Sequence, residues 1–164
     1  MVFLGVDPGS SRTGFGLVAV ENGRLLHVTH GVIRAGKGGA LARRLHEIHS
    51  GIEAVIRRHS PQAVAVESIF HAKNPRSSLV MGQARGVILL AAVQSGVEIY
   101  EYSPLQVKLA VTGYGHAGKE QIRAMVRQLL GVSDVLPMDA SDALAVAICH
   151  AHSQQLGARL GVSP

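Results

Sequence analysis

Cysteine is almost absent from this chain of 164 residues, with Cys149 the only one. A single thiol excludes a disulfide framework and a Cys-rich zinc site, and it fits a reducing cytosol. Long hydrophobic runs are missing too. The longest, Val87 to Val93, falls far short of the ~20 residues a membrane span needs, and no basic segment followed by a long apolar one opens the sequence. The expectation is a soluble, unexported, cytoplasmic protein with no membrane partner. No low-complexity tract interrupts a composition that is 47% hydrophobic, so the chain reads as one domain able to bury a core. Acid is scarce relative to base: eleven Asp and Glu against sixteen Lys and Arg leave a formal charge of +5. That balance favours a polyanionic partner without proving one.

What is present begins with an acid in an unusual place. Val2 to Val6 read as a buried strand, Asp7 follows at its end, Pro8 to Ser11 make a tight turn, and Gly14 to Val20 read as a second strand. A carboxylate where an interior strand emerges into a cleft needs a partner. The alternative is that Asp7 caps its own turn by bonding the backbone two residues on. Asn22-Gly23 then signals a hairpin turn, and Leu25 to Ile33 supply a third strand. The loop with Gly36, Lys37, Gly38 and Gly39 reads as a linker, because it lacks the strand-turn-helix context of a phosphate-binding fingerprint. Ala40 to His59 form an amphipathic helix, with Leu41, Leu45, Ile48, Ile52, Val55 and Ile56 on one face and Arg43, Arg44, Glu47, Arg57 and Arg58 turned outward.

The pattern then repeats. Gln62 to Val66 form a short apolar strand that delivers Glu67 at its end, where turn chemistry explains it poorly because Glu is too long for the local bond. Ser77 to Ser95 predict a helix apolar nearly all round and buried on more than one side, on which Gly82 and Gly86 admit a second backbone from this chain or another subunit. Val97 to Tyr102 predict a strand, and Ser103-Pro104 open a helix with a capping residue and Pro at the first position. After the loop Thr112 to Gly118, Lys119 opens a helix that Gly131 stops. The last helix runs from near Asp139 towards Gly157, which makes residues 1–156 one domain and 157–164 a short tail. Asp139 and Asp142 share one face at its start, where acids also serve ordinary capping.

Strand, strand, strand, helix, strand, helix, strand and three helices describe an α/β layered domain. If Asp7 and Glu67 end neighbouring strands and the last helix starts over that edge, four carboxylates converge. Each raises the others' pKa, so the cluster needs cations. Hard oxygen ligands in an open cleft suit Mg2+ or Mn2+. Two such ions about 4 Å apart, bridged by one carboxylate, hold an attacking water and the leaving oxygen of a phosphodiester in line. The basic surface would bind the strand around them.

Gly5-Val6-Asp7-Pro8-Gly9-Ser10, Glu67-Ser68-Ile69-Phe70-His71-Ala72-Lys73-Asn74, Gly82-Gln83-Ala84-Arg85-Gly86 and Asp139-Ala140-Ser141-Asp142-Ala143-Leu144 together resemble the RuvC family of Holliday junction resolvases. The likeness runs from Met1 to about His152, and the second and third motifs are its specific part. It implies a ribonuclease H-like fold of the retroviral integrase superfamily, a mixed five-stranded sheet with helices on both faces. It further implies a homodimer that nicks two opposing strands of a four-way DNA junction with Mg2+ or Mn2+, two ions per active site, in partnership with a branch-migration helicase complex. Carried onto matching positions, Asp7, Glu67, Asp139 and Asp142 are the metal-binding catalytic acids, with Asp7 bridging the ions. Lys119 joins them as a catalytic residue, and Lys108 and Lys119 approach the scissile phosphate. Phe70 stacks on or wedges against a base, unless it is a hydrophobic lid over the first helix, and Lys73, Arg76 and Arg85 contact the DNA backbone. The likeness moves Gly82 and Gly86 towards an intersubunit helix pair. Three rivals stand beside this reading: an actin-like or sugar-kinase ATPase, for whose second lobe one domain has no room, a related nuclease acting on structured RNA, and a non-catalytic DNA-binding module.

Overall fold

The computed structural model describes residues 1–36, 39–68 and 75–161. Its elements are β1 (Val2–Asp7), β2 (Arg12–Glu21), β3 (Arg24–Arg34), α1 (Leu41–His59), β4 (Ala63–Glu67), α2 (Pro75–Gln94), β5 (Glu98–Tyr102), α3 (Pro104–Thr112), α4 (Lys119–Leu130) and α5 (Met138–Leu160). The strands form one sheet in the order β3-β2-β1-β4-β5. The first three run antiparallel, while β1, β4 and β5 are parallel. Asn22 and Gly23, with φ of 50° and 78°, close the predicted hairpin and pin its register at Glu21 opposite Arg24.

Strand alternation divides the core between the two faces. Leu4, Val6, Val64 and Val66 meet Ile48 and Ile52 of α1 and Ile88 of α2 on one side. Val18 and Ala65 meet α3, α4 and α5 on the other, through Val107, Val126, Leu144 and Ile148. This is the mixed five-stranded, two-faced α/β arrangement expected of a ribonuclease H-like chain. Local signals hold as well: Ser103 caps α3 reciprocally with Gln106, Pro104 takes the first helical position, and Gly131 ends α4 in the left-handed region. Cys149 is buried in α5, and burial pushes its thiol up to about 12, which suits a packing role.

Two expectations need correction. The helix α2 is buried along one stripe only, Ala84, Ile88, Ala91 and Ala92, while Leu79, Leu90 and Val93 are exposed. It is also longer as an apolar element than its longest uninterrupted run suggests: by length and composition alone it could cross a membrane. Its place is nonetheless in the fold, because that stripe packs in the core shared with α1 and Arg85 in mid-helix ion-pairs with Glu101 on β5. The helix α5 continues past Gly157 to Leu160, since a helical glycine costs only about 1 kcal/mol and Gly157 is buried.

Candidate active site

The acids meet because two periodicities coincide. On β1, Phe3, Gly5 and Asp7 share the face that α5 covers, and on β4 Ala63, Ala65 and Glu67 share the same face. The parallel register sets Val6 against Val66, so Asp7 and Glu67 leave adjacent strands side by side. On the other flank Asp7 stands opposite Gly14 of β2. Glycines let α5 lie directly on this surface. A Cβ on Gly5 would come within 2.0 Å of the Ala143 carbonyl oxygen, and one on Gly14 within 1.9 Å of the Asp139 carbonyl oxygen. Backbone against backbone, the first turns of α5 carry Asp139 and Asp142 over the edge where β1 and β4 end.

The carboxylates are strained electrostatically. Burial, followed by the charges of Asp142, Glu67 and Asp139, raises the pKa of Asp7 from 3.8 to about 7, against the opposing pull of Lys119. Burial and Asp142 also raise Glu67, offset by Lys119 and Lys108, and burial raises Asp142, offset by Lys119. Lys119 Nζ lies 3.6 Å from Asp142 Oδ2, and Arg12 Nε donates to Asp139 Oδ2 at 2.7 Å. A cleft of about 400 Å³ opens beside them, lined by Glu67, Lys108, Lys119 and Asp142. Ordinary capping does not account for the acids. The N-cap of α5 is Pro137 with no side-chain bond, and the turn after Asp7 is closed by Thr13 Oγ1 donating to Gly9 O at 2.8 Å and Ala35 N to Ser11 O at 3.0 Å.

Among the described residues no three His, Cys, Asp or Glu side chains stand close enough to hold an ion as they are. The chemistry of the donors nevertheless fits one. Four acidic oxygen donors, three of them pushed towards protonation, suit a divalent cation of the hard class, which would relieve their repulsion.

Residues 3–150 match the family described as crossover junction endodeoxyribonuclease RuvC. The chain belongs to the RuvC family. It is 49% identical over 162 residues to the crossover junction endodeoxyribonuclease RuvC of Rubrobacter xylanophilus, covering 98% of this chain and 90% of the relative. The RuvC of Geobacter sp. strain M21 is 46% identical over 160 residues, covering 98% of each. Among solved structures, T. thermophilus RuvC in complex with Holliday junction substrate superimposes with a TM-score of 0.90 at 37% identity, covering 96% of each chain.

The remaining residues that the RuvC likeness singled out fall into three groups. Lys108 and Lys119 join the acids at the cleft. Arg76 is exposed in the first turn of α2, while Phe70 and Lys73 lie outside the described residues. Arg85 has a side chain only 24% exposed and paired with Glu101, so a DNA contact would require breaking that pair. Among the described residues nothing approaches Gly82 or Gly86: a Cβ on either meets no atom within 4 Å.

Two arginines escaped the sequence reading. Arg44, expected outward, reaches back from α1 so that Nη1 donates to Ser10 O and Ser11 Oγ at 3.3 Å, bracing the turn after Asp7. Arg12 was not singled out, although strand alternation from Gly14 puts it on the α5 face. A hollow of about 470 Å³ lies at the opposite end of the sheet, lined by residues such as Ile56, Ser60, Pro61 and Val97. Its charges, Glu53 and Arg57, satisfy each other, so the acids rather than the size of a cavity locate the chemistry.

Proposed function

We infer that this chain is a structure-selective endonuclease that resolves four-way DNA junctions during recombination and repair, by hydrolysing phosphodiesters on opposing strands. The observation that carries the reading is the convergence of Asp7, Glu67, Asp139 and Asp142 at one sheet edge beside a cleft holding Lys108 and Lys119, in a chain of the RuvC family. Two Mg2+ or Mn2+ ions would be held by those four acids. Bound there, the ions supply Lewis acidity for attack of water on phosphorus. The protein's own groups do the rest. Asp7 and Glu67, fixed by adjacent strands, orient the ligand set, and α5 closes it from above. Lys108 and Lys119 set positive charge against the phosphate that enters the cleft and against the negative charge that grows on it.

The exposed apolar side of α2, with Leu79, Leu90 and Val93 around the open surfaces of Gly82 and Gly86, supports a homodimer through paired helices. Two sites related by one axis give paired nicks. Phe70, with Lys73 and Arg76 after it, would meet the unstacked bases and backbone of the crossover. A branch-migration helicase complex is the further partner that this family membership suggests, and the cytoplasm, with the chromosomal DNA, is the compartment.

The test is cleavage of a labelled synthetic four-way junction with Mg2+, Mn2+ or a chelator, beside a linear duplex of the same sequence. Paired nicks in the junction alone, and only with metal, are expected. Binding without nicking would replace the reading with a non-catalytic module, and cleavage of duplex or RNA would make it another nuclease on the same fold.

A further inference from the structure

Arg12 has no part in the chemistry above, yet its position is tightly determined. It opens β2, and Gly14, two residues on, is the point where β2 touches the Asp139 carbonyl. Side chains two apart on a strand share a face, so the same backbone contact that seats α5 aims Arg12 at the Asp139 carboxylate. The guanidinium Nε donates to Oδ2 at 2.7 Å, with the two side chains 49% and 29% exposed. On β3 the residue directly opposite Arg12 is Arg34, also exposed. Two arginines facing each other across an antiparallel pair repel, and Asp139 neutralises that repulsion from the α5 side.

We propose that Arg12 is a placeholder cation at Asp139: it holds this carboxylate in the position it takes within the acid cluster, and a divalent ion must displace it to load the site. Arg12 is thus a positioning residue that sets the ion concentration at which the acids fill. Once displaced, its guanidinium stands beside Arg34 with no acid between them, and the pair becomes attractive to a phosphate on the β2-β3 flank of the cluster, across from Lys108 and Lys119. The proposal rests on the four acids being an ion site, and its test is arranged to separate the two ideas.

The experiment titrates Mn2+ into the DNA-free protein and follows the loss of the free-ion paramagnetic resonance signal, for the unaltered chain and for Arg12→Gln, Arg12→Lys, Arg34→Gln and Asp7→Asn. Breaking a half-exposed ion pair should be worth about a two- to fivefold change in affinity. Arg12→Gln is expected to bind Mn2+ tighter by that factor, Arg12→Lys by less, and Arg34→Gln, which loses the same charge without touching Asp139 and only eases the displacement of Arg12, by clearly less than Arg12→Gln. Asp7→Asn should lose the binding, which marks the site. Equal or weaker binding by Arg12→Gln overturns the placeholder role alone, as does an equal gain in Arg34→Gln, which would point to the general field. Failure of every variant and of the unaltered chain to bind Mn2+ overturns the ion site and the placeholder with it.

Discussion

Asp7→Asn tests the electrostatic account of the site without any substrate. In the folded chain Asp7 keeps its proton to about pH 7, whereas in the unfolded chain it releases it near 3.8. Between those values the native state binds the extra proton, so stability is full below the unfolded pKa and falls as pH rises through the folded one. Each pKa unit is worth about 1.36 kcal/mol, so the interval from 3.8 to about 7 corresponds to about 4 kcal/mol lost by pH 8 in metal-free protein. Asparagine has nearly the same shape and cannot ionise. The variant should therefore match the parent near pH 4 and exceed it at pH 8 in chelator by up to about 4 kcal/mol, or about 8–16 °C in Tm for a chain of this size. Mg2+ should stabilise the parent and close the gap, while nicking of the junction by the variant is abolished and binding is kept. Thermal melts at both pH values, with chelator and with Mg2+, read this directly. Equal melting temperatures at pH 8 in chelator would refute the claim that burial, with the neighbouring carboxylates, disfavours the charged form of Asp7 in the absence of an ion.

The seam between sheet and helix gives a second prediction. A methyl on Gly5 must push the Ala143 carbonyl from 2.0 Å to beyond 3.0 Å, so Gly5→Ala should cost about 1–3 kcal/mol by denaturation. It should also slow nicking about a hundredfold, because a shift of about 1 Å at the acids is enough for that. Gly86→Leu, at a position where an added Cβ meets no described atom within 4 Å, should leave thermal stability unchanged or raised by about 0.5–1 kcal/mol, yet move the sedimenting species from dimer to monomer. Glu101→Gln should release Arg85 and steepen the salt dependence of junction binding by about one ion, measured by fluorescence anisotropy. Phe70→Ala should reduce junction nicking at least tenfold while Mn2+ binding stays as in the parent, which titration of the ion alone decides.

Much of this fold was legible because its signals are local. A two-residue Asn-Gly turn fixes the hairpin register, Ser-Pro opens α3, and alternation on β1 and β4 places Asp7 and Glu67 on one face once the strands are neighbours. Neighbourhood itself was not legible: nothing in Val2–Asp7 states that β4 pairs with it in parallel with Val6 against Val66, and that depends on how α1 crosses over. The depth of α2 was misjudged for a related reason. Apolar residues all round a helix show that it avoids water, but not whether its own chain or another copy covers it. The pairing of Arg85 with Glu101 was not legible, because ion pairing across elements leaves no mark in sequence spacing.

The glycines explain why the acid cluster exists at all, and why Arg12 belongs to it. Periodicity brings Asp7 and Glu67 to the end of the sheet whatever lies above, but Asp139 and Asp142 join them only if α5 descends to backbone contact with β1 and β2. Gly5 and Gly14 permit that descent, and each touches a carbonyl of the α5 turns that bear the acids or follow them. The same descent buries charge that repels, as the raised pKa values of Asp7, Glu67 and Asp142 record. A packing that close persists only with cations at the edge. In the protein alone they are Arg12 and Lys119, delivered by β2 and α4 to Asp139 and Asp142. An acid site built under this constraint is therefore already matched to positive charge, and its affinity for an ion is the difference between that ion and the side chains it replaces.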